Sequence, residues 1–353
     1  MTYNNLQINA IDCFCGIGGM TNGLEKSGVH VIAGIDIESK CKYSYEKNNH
    51  AKFINEDISK IDISYINNLF KTNNGIKVLV GCPPCQPFSN YSSKYRQAGQ
   101  LDDKWQLLKY FNNIVCLTHP DIVAIENVPG LCKNVIFLDF IENLKKLNYF
   151  TWYSIINCQT YGIPQSRRRL VLLASKFGEI KLPSPNEKIK TVRDAIGKLP
   201  PIQAGETYEK DKLHSARSLS KINIERIKQS KPGGTWRDWD QYLRLNCHSK
   251  SSGKTYPSVY GRMIWDKPSP TITTQFYGYG NGRFGHPEQD RAISFREGAL
   301  LQTFPLNYVF NPSATARELG IQIGNAVPVK LAEIIGNSIQ LNIKKYYVKK
   351  INK

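Results

Sequence analysis

The sequence predicts an α/β fold, a doubly wound and mostly parallel sheet with helices on both faces, joined to a second, smaller, loop-rich domain. Three observations predict it. Short apolar, β-branched runs at residues 8–12, 29–36 and 78–81 end in turn-forming or charged residues and are separated by longer connecting stretches. The first run passes through the glycine-rich turn Phe14-Cys-Gly-Ile-Gly-Gly-Met20 into a helix beginning near Gly19, as nucleotide-binding βα units do. From about Lys181 the texture changes: prolines 183, 185, 200 and 201 and then Lys231-Pro-Gly-Gly234 interrupt both periods as far as Tyr260.

Length and charge fit two domains. At 353 residues and 41% apolar content the chain exceeds one average domain and can bury a proper core, which excludes a disordered or fibrous protein. The expected division is 1–180 plus 306–353 for the larger domain and 181–305 for the smaller. A formal charge of +18 favours an anionic polymer as partner. Nine cysteines at 13, 15, 41, 82, 85, 116, 132, 158 and 247 form no framework of spacings, as expected of reduced thiols in a cytosol. The first residues lack the regions of a signal peptide, and no apolar run is long enough to span a bilayer, so no membrane location is expected.

Each element has a local reason. Glycines 16, 18 and 19 let the backbone after the first strand approach a ligand, a signal that NAD, FAD and S-adenosylmethionine sites share. The second strand closes on Asp36, where α/β folds grip ribose hydroxyls, and residues 51–57 read as a third strand ending in a second acid, Asp57. Residues 78–81 are a buried strand, and Cys82-Pro-Pro-Cys85-Gln-Pro-Phe-Ser89 is the stiff loop at its carboxyl end, where open sheets bind ligands. A zinc site would want a second ligand pair, and a thioredoxin-like motif would open a helix, which two prolines oppose. Cys82 therefore reads as a buried small hydrophobe, while Cys85, followed by polar Gln86 and a turn, can point its sulfur into a cleft.

Residues 105–116 have helical spacing, and 121–126 form the next strand. Its Glu126 abuts four apolar residues, is expensive to bury ionised, and calls for a proton or a bound partner. Residues 149–158 and 169–175 read as closing strands around Gln165-Ser-Arg-Arg-Arg169, an arginine run that composition alone would leave as a solvated face. Aromatic and basic residues interleave in the irregular domain, which suits a groove-facing surface. Ser294 is a helix N-cap with Glu297 in the capping-box position and Pro305 as the stop. Pro328 sits in the first turn of a last helix whose apolar stripe is Leu331, Ile334, Ile335 and Ile339. Residues 344–353 read as a frayed basic end.

These motifs, in this order, resemble the DNA cytosine-5 methyltransferases of bacterial restriction-modification type. Pro83-Pro-Cys-Gln-Pro-Phe-Ser89 resembles the nucleophile loop. Asp12-Cys-Phe-Cys-Gly-Ile-Gly-Gly19 is similar to the family's Asp-Leu-Phe-x-Gly-x-Gly-Gly, with Cys13 replacing an aliphatic residue. Glu126-Asn-Val128, the Gln-x-Arg-x-Arg run from Gln165, the Arg296 to Pro305 segment and Gly324-Asn-Ala-Val-Pro328 complete the set. The resemblance covers nearly the whole chain except roughly 180–265.

It implies the S-adenosylmethionine-dependent methyltransferase fold, S-adenosylmethionine as cofactor with S-adenosylhomocysteine as product, and no metal. Phe14 would pack beside the adenine, Gly16, Gly18 and Gly19 would lie along the methionine part, and Asp36 would take the ribose. The family often has an aromatic residue after that acid; Ile37 makes the contact plainly apolar here. Asp57 and Ile58 would hold the adenine amino group and ring, and Pro84, Asn325 and Val327 would complete the pocket. Cys85 would be the nucleophile, Glu126 would hold the target cytosine, and Arg167 and Arg169 would clamp the flipped nucleotide. Residues 181–305 would form a target-recognition domain with its supporting helix. There Pro268-Ser-Pro-Thr-Ile-Thr-Thr-Gln275 resembles a Thr-plus-aliphatic element in which Thr274 replaces the aliphatic member. Gln86, Ser89, Thr273, Arg283 and His286 would meet DNA.

The implied partner is double-stranded DNA, methylated by a monomer in the bacterial cytosol or nucleoid, with a cognate restriction endonuclease acting separately. A tRNA cytosine-5 methyltransferase can be built from the same catalytic motifs. A nicotinamide-dependent oxidoreductase would use the Gly16 turn and Asp36 but leave Cys85, Glu126 and Arg169 idle. The target sequence is not legible in residues 181–290.

Overall fold

A computed structural model describes residues 7–84 and 106–351. The chain divides into two compact units. The first runs to Asn157, resumes over Arg168–Pro185 and again from Val327; the second comprises Cys158–Arg167 and Asn186–Ala326.

The first unit is built on a seven-stranded sheet. Strands β1 (Ile8–Cys13), β2 (His30–Asp36), β3 (Lys52–Asn55), β4 (Ile76–Gly81) and β5 (Ile122–Asn127) are parallel, while β6 (Phe150–Asn157) and β8 (Arg168–Ser175) close it. The two-residue β7 (Gln165–Ser166) belongs to the second unit. The order is β3-β2-β1-β4-β5-β8-β6, with β8 antiparallel to both β5 and β6. Third-strand pairing stops at Asn55, so Asp57 stands two residues beyond the strand expected to end on it.

Helices α1 (Gly19–Lys26), α2 (Lys42–Asn48), α3 (Ile63–Thr72), α4 (Gln106–Thr118) and α5 (Val135–Lys146) connect these strands. Asp62 caps α3 by accepting from the Ser64 N–H at 2.8 Å, and Asn134 caps α5 by accepting from Ile136 at 2.9 Å. Ile66, Phe70, Leu108, Phe111, Phe137 and Phe140 from α3, α4 and α5 pack on Ile11, Cys13, Leu79, Val123 and Ile125 of the sheet. Side chains alternate along a strand, so Asp12 and Glu126 point to the opposite face from this cluster.

The second unit pairs β7 with β9 (Ser269–Pro270) and carries the short helices α6 (Val192–Ile196), α7 (Lys221–Gln229), α8 (Asn246–Ser249) and α9 (Ser251–Lys254). Then come α10 (Phe295–Leu301) and α11 (Ala316–Asn325). Its small apolar core gathers Ile227, Trp236, Trp239, Leu243 and Tyr279. Long side chains take the place of regular ladders in satisfying its backbone. Arg262 donates to the carbonyls of Ile227, Ser230, His286 and Gln289, and Gln302 donates to those of Ile323 and Ala326. Ser294 caps α10 as the sequence predicts: its hydroxyl accepts from Glu297 N–H at 3.1 Å, and the Glu297 carboxylate accepts from Ser294 N–H.

The chain returns to the first unit in α12 (Val329–Ile351). Helix α11 ends at Asn325, and α12 starts at Val329, directly after the Pro328 expected at its head. It packs along α1, where Gly23 leaves room; a Cβ there would lie 2.3 Å from the Val329 carbonyl oxygen. Over 344–351 the expected frayed end is corrected: the helix runs on through Ile351, and Tyr346 and Tyr347 rest against Phe177 at 4.9 and 6.1 Å between ring centroids.

Candidate active site

Strand order reverses between β1 and β4, and crevices at the carboxyl ends of such neighbours are where open α/β sheets bind ligands. Two loops leave that point side by side, the glycine turn after Cys13 and Cys82-Pro-Pro84 after Gly81; the Cys82 N–H donates to the Cys13 carbonyl at 3.2 Å. Phe14, Gly16 and Gly18 have left-handed φ of 63°, 52° and 91°. The glycines differ in purpose. A Cβ on Gly16 would meet nothing within 4 Å, so this stretch of backbone is open to a ligand, whereas on Gly18 it would lie 2.3 Å from Asn49 Nδ2. Gly19 is buried as the first residue of α1.

Asp36 at the end of β2 ties the turn down. Its carboxylate accepts from Gly16 N–H at 2.8 Å and Glu38 N–H at 2.9 Å. Burial pushes its carboxyl up, and those two N–H groups pull against the rise. Ile37 beside it is 68% exposed, an apolar surface at the mouth of the crevice. Asp57 accepts from the Ser59 N–H and hydroxyl at 2.9 and 2.8 Å, which hold its carboxyl below the usual range. Ile58 is buried in the core under α3, Pro84 is exposed, and Val327 is buried just before α12.

Glu126 occupies the carboxyl end of β5, 6% exposed. Arg169, at the start of β8, places Nε 2.9 Å from its Oε1. Contact and alignment differ here: the pair is close enough for an ion pair, yet no N–H is aimed at that oxygen. Oε1 therefore keeps its lone pairs for an incoming donor. Asn127 next to it donates to the Pro83 carbonyl at 2.9 Å and accepts from Val128 N–H at 2.8 Å, which fixes the root of the loop leaving β4. The Cys82 thiol is pushed far up by burial and by the nearby Glu126 charge, which disfavours its thiolate. Cys85, Gln86 and Ser89 lie outside the described residues.

The other expected residues lie in the second unit. Arg167 is 3% exposed and donates to the Ile272 carbonyl at 3.2 Å, beside Gln165, whose amide reaches Gln302 at 2.9 Å. Thr273 is half-buried, its carbonyl against Gly324 of α11, where a Cβ would come within 2.5 Å. Asn325 is exposed at the end of that helix. Arg283 turns inward, donating to the Gly234 carbonyl at 2.6 Å. His286 is 2% exposed; its Nδ1 accepts from Gln289 N–H at 2.9 Å, and its Nε2 lies 3.7 Å from Glu297. His286 is thus enclosed, while Arg283 is half-buried with Nη1 committed to the Gly234 carbonyl. Burial pushes the His286 imidazole down to about 4.

Sequence reasoning assigned no role to Asp12, which is fully buried on β1. Its Oδ2 accepts from the Thr21 hydroxyl at 2.7 Å, the Tyr45 hydroxyl lies 3.0 Å further on, and Oδ1 has no partner. Burial raises its carboxyl to about 7, with the Asp36 charge adding to the rise and the Thr21 bond opposing it. The signal that marked Glu126, an acid closing an apolar strand, marks Asp12 equally. Among the described residues no group of three or more His, Cys, Asp or Glu could hold a metal, and no helix is long and apolar enough to cross a membrane.

The sequence profile of the C-5 cytosine-specific DNA methylases matches residues 8–341. The Type II methylase M.HgiDII of Herpetosiphon aurantiacus is 51% identical over 338 residues, covering 94% of each chain. The Type II methyltransferase M.Eco47II of Escherichia coli is 31% identical, covering 95% of this chain and 79% of the relative. The solved structure of the Entamoeba histolytica methyltransferase EhMeth, 20% identical, shares the fold with a TM-score of 0.66 over 98% of this chain and 99% of that one. With the profile spanning most of its length and a relative at half identity, the chain belongs to the C-5 cytosine-specific DNA methylase family.

Proposed function

We propose that this protein methylates C5 of a cytosine within a specific duplex DNA sequence, using S-adenosylmethionine and a covalent bond from Cys85 to C6 of a flipped-out base. It would act as a monomer in the bacterial cytosol, with a separate restriction endonuclease as its counterpart. The observation that carries this reading is the buried Glu126 carboxylate, whose unaimed Oε1 stands at the carboxyl end of β5 beside the loop that leads to Cys85.

The residues around the glycine turn fit the cofactor. Open space at Gly16 admits it, Asp36 has lone pairs left for ribose hydroxyls, and exposed Ile37 offers the adenine an apolar contact. When bound, S-adenosylmethionine supplies a methyl group on a positively charged sulfur. Cytosine C5 is a weak nucleophile, so the Cys85 thiolate first adds to C6 and moves an electron pair toward C5 and N3. Glu126, in its acid form, accepts from the exocyclic amine through Oε1 and gives its proton to N3, and Arg169 offsets the carboxylate this leaves. The enamine so formed takes the methyl at C5. Loss of the C5 proton to a base, expulsion of Cys85 and return of the N3 proton to Glu126 restore the ring, the thiolate and the acid. C6 is hidden in the stack, so the nucleotide must leave the duplex first.

The test uses duplex DNA carrying 5-fluorocytosine at the target, where C5 has no proton to lose. The wild type should form an adduct that survives denaturation, Cys82→Ala should retain it, and Cys85→Ala should lose it. An adduct that persists in Cys85→Ala and disappears in Cys82→Ala refutes the assignment. The same enzyme offered tRNA should transfer no methyl.

A further inference from the structure

The family profile ends at Leu341, and the chain goes on. Residues 342–353 hold lysines at 344, 345, 349, 350 and 353 and no acid. As far as Ile351 the extension is a docked helix. The Asn342 side chain donates to the carbonyl of Glu179 at 2.9 Å and accepts from the Ser175 hydroxyl at 2.6 Å, and the Phe177 ring holds Tyr346 and Tyr347. Lys344, Lys345, Lys349 and Lys350 are exposed, and among the described residues none of them pairs with a carboxylate.

Their place in the fold matters. α12 starts against Gly23, passes Ser27 where Gly336 packs, and reaches Ser175 with Asn342. Ser175 pairs with Ile122, the first residue of β5, whereas Glu126 is near its last. The lysines therefore project beyond the amino edge of the sheet, roughly 20–30 Å down the helix from Val329, and the chemistry sits at the carboxyl edge. Four exposed cations on a pinned helix suit a phosphate backbone and no particular sequence.

We propose that the end of α12 is a second DNA-binding surface, gripping the phosphates of a duplex segment other than the one being methylated. The occupant is duplex DNA because the family's substrate brings this chain among such polyanions and the charges are complementary. A second grip lets the enzyme hold a neighbouring segment while the first is still engaged, and so pass between them. The proposal rests on DNA being the substrate and on nothing about Cys85.

The experiment uses a duplex of about 30 A·T pairs, which contains no cytosine and cannot be methylated. Full-length wild type is compared with a variant carrying Lys344→Gln, Lys345→Gln, Lys349→Gln and Lys350→Gln, and with one carrying Arg at the same four positions. The Gln variant should lower the slope of log affinity against log salt by up to about 4 units, roughly 0.9 per lost contact; the Arg variant should keep it. On beads bearing one such duplex, wild type and Arg variant should retain a second, labelled duplex, and the Gln variant should not. Unchanged slope and retention in the Gln variant overturn the proposal. A reduced slope without any bridging by the wild type also overturns it, because the lysines would then share the segment held at the catalytic edge. Equal melting temperatures among the three exclude misfolding as the cause, and neither readout depends on methyl transfer.

Discussion

Replacing Asp12 by asparagine should flatten the pH dependence of folding stability. The carboxyl is fully buried, and it rises from an unfolded value of 3.8 to about 7. A raised acid makes the folded state bind the extra proton, so its stability is greatest below the unfolded value and is lost as pH climbs toward the folded one, then levels off. Between pH 5.5 and 8 the unfolded carboxyl is ionised throughout, while the folded one holds its proton for about the first 1.5 units. At 1.36 kcal/mol per unit that is about 2 kcal/mol of lost stability from this group alone. Asparagine keeps an acceptor for the Thr21 hydroxyl and cannot titrate. Urea unfolding of the cofactor-free protein at both pH values, in wild type and variant, yields the double difference. The expected result is about 2 kcal/mol less pH-dependent loss in Asp12→Asn. The same slope in both proteins refutes the reasoning, whatever the variant's absolute stability.

Glu126→Gln should cut the single-turnover rate at saturating DNA by about 10²–10⁴ while DNA affinity changes little, because an amide fills the same place but delivers no proton; an unchanged rate counts against the role. Gly23→Ala should lower stability by about 1–3 kcal/mol in thermal melts, since its Cβ would press on the Val329 carbonyl and the Ala332 Cβ, both within 2.4 Å. Glu297→Gln should destabilise the fold by about 3–5 kcal/mol at neutral pH by leaving Arg291 buried without its anion. The same variant should flatten the acid limb of stability. Burial alone would raise the Glu297 carboxyl, but Arg291 and then His286 outweigh it and hold it at about 2, so its contribution is present above 4.5 and lost as pH falls toward 2.

The parts legible in the sequence are those whose cause is local. β1, β4 and β5 announce themselves as apolar runs, the α10 cap by Ser294 and Glu297, and the site's location by loops leaving adjacent strands. What was not legible depends on contacts between distant residues. Nothing near Lys344 says that Phe177 will receive Tyr346 and keep the tail helical. His286 and Arg283 look like surface residues because they follow a glycine-rich stretch, yet Glu297 and the Gly234 carbonyl draw them inward. The second unit has no readable period because Arg262 and Gln302 satisfy its carbonyls, and their partners lie up to 35 residues away.

The second unit is not a continuous insertion, and that bears on how such proteins could exchange specificities in evolution. Its first piece, Cys158–Arg167, is cut from the rest by a strand of the other unit, β8. β7 pairs with β9 across about a hundred residues, and Gln165 binds both Gln302 and the Ile272 N–H. A recombination event that imports only the long segment after Pro185 therefore arrives without its own Gln165, and must find the resident one in the same register. Lineages that keep the Gln165 to Gln302 and Ile272 contacts unchanged can trade the interior of that segment freely. Those that drift at these positions must trade two separated pieces at once, a much rarer event.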